Sequence, residues 1–255
     1  MELKPISPFV QNIFQKYESM RPCFMSEGHF LNQFLWENYY QTKFAHDDTA
    51  LYLFFEKDGK KGAFCPLCPV DHLAEAFRRM QRQFHDVWGV KMNVFLIDTL
   101  TKDVWESAGL LSGYTIHEDR DSADYIYEAE KLKSLSGRAL HKKKNLVNAF
   151  QREYEGRFSY ETLGCRNIEE VKEFHEQWLD ERRVDDKYNC IDNEEEGVYR
   201  LLGNCRSVDC HMGGIRMDGN LVAYSIGSYC PSIQCAFIHI EKAKTDIKGL
   251  YNYIN

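Results

Sequence analysis

The sequence predicts a mixed α/β (α+β) fold, because strand-like and helix-like segments alternate along its 255 residues. The clearest helix covers residues 71–88, where apolar side chains recur every three or four positions. Two Asp-Gly pairs, at 58–59 and 218–219, are the strongest short signal for a hairpin. An Ala-aromatic pair follows each of them, at 63–64 and 223–224, so the hairpins predict an internal duplication.

The other elements follow in chain order. In the first half we expect a strand over residues 90–97, a short helix over 102–108 and a strand over 123–128. In the second half we expect helices over 137–154, 168–183 and 198–202, strands over 157–162 and within 211–242, and an acidic surface loop over 185–197. No low-complexity linker interrupts the chain, and we place the boundary so that the halves are residues 1–128 and 129–255.

Composition excludes several classes of protein. Hydrophobic residues make up 44% of the chain and aromatic residues 14%, which is enough for a packed core. The net charge of −7 argues against a DNA-binding protein. No apolar run approaches the roughly 20 residues of a transmembrane segment, and the N-terminus lacks the apolar core of a signal peptide. We therefore expect a cytoplasmic protein.

The cysteines predict reduced thiols. There are nine, an odd number with irregular spacing, which does not indicate a disulfide framework. Cys65 and Cys68 have metal-ligand spacing, but no second pair follows, and Cys205 and Cys210 are spaced wrongly for a standard zinc site. We expect no metal and no bound cofactor. His175 lies on an apolar helical stripe and is expected to be a packed core residue.

The segment 235–242 is the first candidate for chemistry. Alternation along a strand puts Phe237, His239 and Glu241 on one face. Ile238, Ile240 and Lys242 lie on the other. His239 and Glu241 could then act as general base and orienting partner if they line a cleft. The alternative is a solvated strand edge with ordinary surface charges.

A loop and a helix start near Asp246 follow that strand. Lys242, Lys244 and Lys248 surround the expected helix N-terminus, whose N–H groups favour anions. Gly249 would let a ligand approach the backbone closely.

The helix over 137–154 is the second candidate. Its apolar stripe has Lys143 at its centre, flanked by Lys142 and Lys144, with Arg138 one turn earlier. A lysine in that position must reach solvent, pair with an acid or meet a bound anion. A structural ion pair and a phosphate or carboxylate contact both remain open, and the flanking lysines also fit a solvated basic face.

Residues 125–150 and 239–255 resemble a family of mostly uncharacterised bacterial proteins. That family is similar to the C-terminal domain of phosphatidylglycerol lysyltransferase. The resemblance implies two GNAT-like mixed-sheet halves in tandem and an anionic donor substrate, either acyl-CoA or aminoacyl-tRNA, which makes a charged tRNA a candidate partner. It also implies roles for individual residues. Glu241 or His239 would assist proton removal, and the residues that would bind the donor are Lys143, Lys142, Lys144, Arg138, Lys244, Lys248, Gly249, Tyr251 and Asn252.

Two departures from the GNAT pattern shape the functional hypotheses. Of the usual acyl-CoA loop only Gly249 is present, which favours a tRNA-type donor. The sequence ends at Asn255, inside the expected helix, so we expect a second half truncated at its C-terminus. The first hypothesis is an acyl- or aminoacyl-transferase acting on an amine or hydroxyl acceptor. The alternative is a non-catalytic GNAT-like module that binds an anionic ligand or a protein partner.

Overall fold

The structure of the chain, a computed structural model, describes residues 1–182 and 190–255. Their backbone divides into two compact units, and each is described by itself. Unit 1 consists of Met1–Asp124, Glu196–Val208 and Cys230–Cys235. Unit 2 consists of Tyr125–Glu195, Asp209–Tyr229 and Ala236–Asn255. The division into halves 1–128 and 129–255 stays a prediction.

Unit 1 contains a five-stranded sheet in the order β1-β2-β3-β4-β5. Its pairs are antiparallel except for the parallel pair β4 and β5. The strands are β1 (Lys4–Pro5), β2 (Lys43–His46), β3 (Leu51–Lys57), β4 (Lys60–Phe64) and β5 (Val94–Phe95). The helices are α1 (Gln11–Glu18), α2 (Phe30–Leu35), α3 (Glu37–Tyr40), α4 (Leu73–Arg82) and α5 (Thr99–Ser107).

The apolar stripe of α4 forms the centre of the core of unit 1, as the periodicity predicts. Leu73, Phe77 and Met80 are buried together with Phe54 of β3 and Trp105 of α5. The helix is shorter than the predicted 71–88 because its last part, residues 83–87, widens into a π-turn. The short helix expected at 102–108 begins earlier and is α5.

Unit 2 contains a four-stranded sheet in the order β6-β7-β8-β9, in which the β6–β7 and β7–β8 pairs are antiparallel. The strands are β6 (Phe158–Leu163), β7 (His211–Met217), β8 (Asn220–Cys230) and β9 (Cys235–Ala243). The helices are α6 (Ala129–Ser134), α7 (His141–Glu153), α8 (Ile168–Arg182) and α10 (Leu250–Ile254), and α9 (Cys190–Gly203) has residues in both units. Phe150 of α7, Ile215 of β7 and Leu250 of α10 are buried in its core.

Both predicted Asp-Gly hairpins are present. Lys57 pairs with Lys60 across one turn, and Met217 pairs with Asn220 across the other. Asp58 and Gly59 have φ of 52° and 71°, and Asp218 and Gly219 have 49° and 88°. Two consecutive positive φ values match the twist of an antiparallel pair, and Asp and Gly tolerate them better than most residues.

Three of the predicted elements are wrong. Residues 123–128, all of them described, are irregular, and Tyr125, Ile126 and Tyr127 are exposed. The strand expected over 90–97 is reduced to β5. Of the acidic loop expected over 185–197, residues 185–189 lie outside the described residues, and the remainder belongs to α9. The predicted helix 198–202 is the last part of α9.

Some of the cysteines carry thiols, and two are disulfide-bonded. The free cysteines are Cys23, Cys65, Cys68, Cys210, Cys230 and Cys235. Cys165 and Cys205 are disulfide-bonded, so the expectation of reduced thiols is wrong for these two. Burial raises the pKa of the Cys68 thiol to about 12 and raises that of Cys65 as well. Among the described residues, the structure brings one group of side chains able to bind a metal ion together, and neither Cys65 nor Cys68 belongs to it.

Candidate functional site

The candidate site of unit 2 is built on β9. The rings of Phe237 and His239 stack at 6.3 Å with an interplanar angle of 19°, which confirms that they share a face of the strand. Glu241 lies two residues further along the same face and is partly buried.

Asn255 connects Glu241 to the lysine that the sequence singles out. The Asn255 side-chain nitrogen donates a hydrogen bond to the Glu241 carboxylate at 3.0 Å. Lys143 of α7 donates to the side-chain oxygen of the same asparagine. A carboxylate, an amide and an ammonium group therefore form one chain of contacts within unit 2.

The surroundings of Glu241 shift its proton affinity. Partial burial raises the pKa of the Glu241 carboxyl above its usual range, because desolvation disfavours the charged form. The Asn255 hydrogen bond and the charges of Lys143 and Lys242 oppose that shift without cancelling it. A carboxylate with a raised pKa is a stronger base than an ordinary one and is suited to accept a proton at neutral pH.

Among the described residues, Lys143 does not form the structural ion pair that the sequence left open, and its contact with a bound phosphate stays a prediction. It is half-buried, and its contact is the neutral amide of Asn255 rather than a buried carboxylate. The ammonium charge is thus oriented towards Glu241 without forming a direct ion pair.

His239 has a separate partner. Its Nε2 lies 2.9 Å from the hydroxyl oxygen of Ser228 on the neighbouring strand β8. This is hydrogen-bonding distance between an imidazole and a hydroxyl group.

Lys242 lies on the opposite face of β9 and is buried, with 8% of its surface exposed. Its ammonium group is 2.6 Å from the Glu194 carboxylate and 4.2 Å from the ring centre of Trp178. The expectation that Lys242 belongs to the cationic loop is therefore wrong. Its charge is instead compensated by the Glu194 carboxylate and by a cation–π contact with Trp178.

His175 is a packed core histidine, as expected. It is fully buried on α8, and its Nδ1 lies 2.7 Å from the hydroxyl of Tyr224. Burial, and to a smaller extent the charge of Lys242, lowers the pKa of His175 to about 4.

The expected helix N-terminus near Asp246 is not there, because α10 begins at Leu250 and has five residues. Gly249 precedes it with φ of 84°. A Cβ at this position would overlap the carbonyl oxygen of Leu146 and lie 3.0 Å from Cβ of Phe150. The glycine thus lets α10 pack directly on α7.

The other predicted binding residues are spread over the surface near these elements. Arg138, Lys142, Lys144 and Lys248 are exposed, while Lys244, Tyr251 and Asn252 are half-buried. Lys144 reaches the Ser134 carbonyl oxygen at 3.5 Å, and the Tyr251 hydroxyl accepts a hydrogen bond from Trp178 at 3.0 Å. Among the contacts that the structure describes for these residues, none reaches Glu241. Their binding roles stay predictions.

Sequence reasoning did not identify Asn255, Ser228 or Trp178. Asn255 and Ser228 are short polar residues without a motif, and only the strand pairing and the packing of α10 bring them to Glu241 and His239. Trp178 lies on the same helix as His175, and a lone tryptophan gives no signal that a buried lysine will stack on it.

The fold and this site place the protein among mixed α/β proteins with two sheet-containing units. In the second unit, contacts connect a carboxylate through an amide to a lysine. A family model described as "Phosphatidylglycerol lysyltransferase, C-terminal" matches residues 23–255. The chain belongs to that family.

Relatives support the assignment at the level of the fold. A conserved protein of unknown function from Bacteroides thetaiotaomicron superposes with a TM-score of 0.84 at 23% identity, over 99% of this chain and 84% of that one. The C-terminal domain of a putative lysylphosphatidylglycerol synthetase from Agrobacterium fabrum gives 0.61 at 11% identity, over 97% and 73%. The structure of L-PGS from Bacillus licheniformis gives 0.60 at 12% identity, over 98% and 73%.

In sequence, an uncharacterised protein of Mycoplasmoides gallisepticum is 24% identical over 145 residues. That match covers 54% of this chain and 43% of the relative, so it spans less than half of the relative's length. In the described part of this chain, no helix combines the length and the apolar character needed to cross a bilayer. The tandem GNAT-like arrangement and the cytoplasmic location stay predictions.

Proposed function

We propose that this protein is an aminoacyltransferase whose reaction takes place at Glu241 in unit 2. The donor would be an aminoacyl-tRNA, with acyl-CoA as the alternative, and the acceptor a hydroxyl or amine. Membership of the phosphatidylglycerol lysyltransferase family supports the reaction class. The observation that carries the proposal is the chain of contacts from Glu241 through Asn255 to Lys143.

Glu241 would act as the general base. The acceptor O–H or N–H gives its proton to the carboxylate while the acceptor oxygen or nitrogen attacks the ester carbonyl carbon of the donor. The tetrahedral intermediate then collapses, and the carbon–oxygen bond to the tRNA ribose breaks. Glu241 returns the proton to the departing ribose oxygen, so that atoms and charges balance. The raised pKa of Glu241 suits both transfers.

Asn255 and Lys143 would support that role by position and charge. The amide holds one carboxylate oxygen, which leaves the other available to the acceptor. The ammonium group of Lys143 would stabilise the negative charge that develops on the carbonyl oxygen in the transition state. His239, hydrogen-bonded to Ser228, is the second candidate for the base.

The cationic residues preceding and within α7 would contact donor phosphates. Arg138, Lys142 and Lys144 are exposed and lie within seven positions of one another in the sequence. Phosphate contacts of this kind are dominated by charge and weaken as salt rises. We therefore assign these side chains to donor binding rather than to the chemical step.

Phosphatidylglycerol, which the family description names, is the first acceptor to test, through a hydroxyl of its headgroup. The assay incubates the protein with tRNA carrying radiolabelled lysine and vesicles of phosphatidylglycerol, and measures label in the lipid phase. Phosphatidylcholine vesicles serve as the acceptor control. A parallel reaction replaces the charged tRNA with acyl-CoA and offers a free amine.

Two variants separate the roles. Glu241→Gln keeps the shape of the side chain but removes the base, and should lower kcat/KM by about 10²- to 10⁴-fold. Glu155→Gln, an exposed glutamate just after α7, should leave it unchanged. Lys143→Ala should lower kcat, with Arg152→Ala on the same helix as its control.

Full activity of Glu241→Gln would refute the role of Glu241, and a loss confined to His239→Gln would transfer that role to His239. If the wild-type protein binds charged tRNA but forms no product with any donor, the transferase proposal fails and the non-catalytic binding module takes its place.

A further inference from the structure

Three side chains of unit 1 that are able to bind a metal ion lie close together. Glu18 is the last residue of α1, His29 directly precedes α2, and Cys230 is the last residue of β8. Each offers one ligand atom, and these atoms lie within 4.8 Å of one another. His29 and Cys230 are buried, and Glu18 is partly buried.

His29 is oriented as metal-bound histidines are. Its Nε2 lies 3.0 Å from the carbonyl oxygen of Cys23, and a carbonyl oxygen only accepts, so Nε2 carries the hydrogen. In the neutral ring, Nδ1 then presents its lone pair, and it lies 3.5 Å from the Glu18 carboxylate. A backbone carbonyl that fixes the second ring nitrogen is the usual support of a histidine ligand.

Neighbouring groups hold the other two ligands. The Phe30 N–H donates to Glu18 Oε1 at 3.2 Å. The Ser232 hydroxyl lies 3.2 Å from the Cys230 sulfur and donates to the Glu18 carbonyl oxygen at 3.2 Å. These contacts tie the turn after β8 to the end of α1.

We propose that Glu18, His29 and Cys230 bind a Zn²⁺ ion, with water as the fourth ligand. Tetrahedral zinc places nitrogen and oxygen ligands about 3.4 Å apart and sulfur about 3.6 Å from either of them. The distance of 3.5 Å between His29 Nδ1 and Glu18 Oε1 already matches. No two ligand atoms are more than 4.8 Å apart, so the sulfur needs to move by about 1 Å at most. A carboxylate, a thiolate and a neutral imidazole bring two negative charges, so the buried complex is neutral.

Spacing along the chain could not predict this site, because two ligands are at positions 18 and 29 and the third is at 230. Cys-x-x-Cys spacing predicts a zinc site only when the ligands are close in sequence. Here the fold brings the three ligand side chains close together.

Isothermal titration of zinc into chelator-treated protein, with Cys165 and Cys205 still disulfide-bonded and the other thiols protected from oxidation, tests the proposal. We expect one equivalent per chain in the wild type and at least a tenfold weaker Kd in Cys230→Ser and His29→Gln. Cys235→Ser, which alters a partly exposed thiol of the same turn, should bind as the wild type does. Cobalt in place of zinc should give a thiolate charge-transfer absorption that Cys230→Ser loses.

At one zinc concentration, zinc should also raise the Tm of the wild type and of Cys235→Ser by similar amounts, and raise that of Cys230→Ser less. Glu18→Gln keeps the acceptor for the Phe30 N–H, so it provides a folded test should Cys230→Ser prove unstable. Absence of zinc binding by the wild type, or equal binding by the wild type and all three ligand variants, would overturn the proposal and leave Glu18 and His29 as an ion pair.

Discussion

Gly249→Ala tests whether this glycine serves helix packing. Gly249 has φ of 84°, in the left-handed region that costs an alanine about 1–2 kcal/mol. Its added Cβ would also overlap the Leu146 carbonyl oxygen, which is rigid helix backbone in α7. Forcing the two helices apart adds about 1–3 kcal/mol, by analogy with overpacked cores. The free energy of unfolding should therefore fall by about 2–5 kcal/mol.

Gly219→Ala is the matched control, because Gly219 has φ of 88° with no atom within 4 Å of an added Cβ. It should lose only the conformational part, about 1–2 kcal/mol. Urea denaturation followed by circular dichroism measures both losses. Equal destabilisation by the two substitutions would refute the packing argument. The predicted close approach of a ligand would then remain as the role of Gly249.

Three further predictions concern charge. The acid limb of the pH profile of kcat/KM should move to higher pH in Lys143→Ala, because the lysine charge lowers the pKa of Glu241. In the wild type, the free energy of unfolding should fall by about 3 kcal/mol as pH drops from 6.5 to 4, because His175 takes up a proton in the unfolded state but stays neutral when buried. In His175→Gln this pH dependence should be weaker, as measured by urea denaturation at each pH. Asp98→Ala should cost about 3–5 kcal/mol in urea denaturation, because it leaves the buried Arg21 guanidinium, now 2.7 Å from Asp98, without its carboxylate.

Two of these predictions have a control variant. Arg152→Ala on α7 should leave the pH profile in place. Asp103→Ala, an exposed acid on the same helix that Asp98 caps, should cost less than about 0.5 kcal/mol. If His175→Gln leaves the pH dependence of the unfolding free energy unchanged, the loss of stability at low pH is due to other groups.

The local signals of the sequence were the reliable ones. The Asp-Gly turns were predictable because the backbone conformation of a two-residue hairpin favours these residues. The stripes of α4 and α7 were predictable because burying one helical face requires a regular spacing. The shared face of His239 and Glu241 followed from strand alternation alone.

Long-range contacts decided what the sequence could not predict. Residues 123–128 contain the β-favouring run Tyr125-Ile126-Tyr127, but a strand also needs a hydrogen-bonding neighbour, and the local sequence does not state whether one exists. Likewise, nothing local indicates that Asn255 will lie between Glu241 and Lys143. A candidate base can be named from its strand, whereas its supporting partners depend on how distant elements pack.

Lys242 shows why the two faces of β9 must be treated separately. Glu241 and Lys242 are neighbours of opposite charge, and strand alternation predicts that they lie on opposite faces. Alternation turns Lys242 towards Glu194 and Trp178, where its charge is compensated. Glu241 is left with a neutral amide as its hydrogen-bond donor, so its pKa stays raised. If the buried lysine were paired with Glu241, that pKa would be lowered instead, and the carboxylate would be a weaker base. The structural ion pair on one face thus preserves the basicity that the proposed reaction needs on the other.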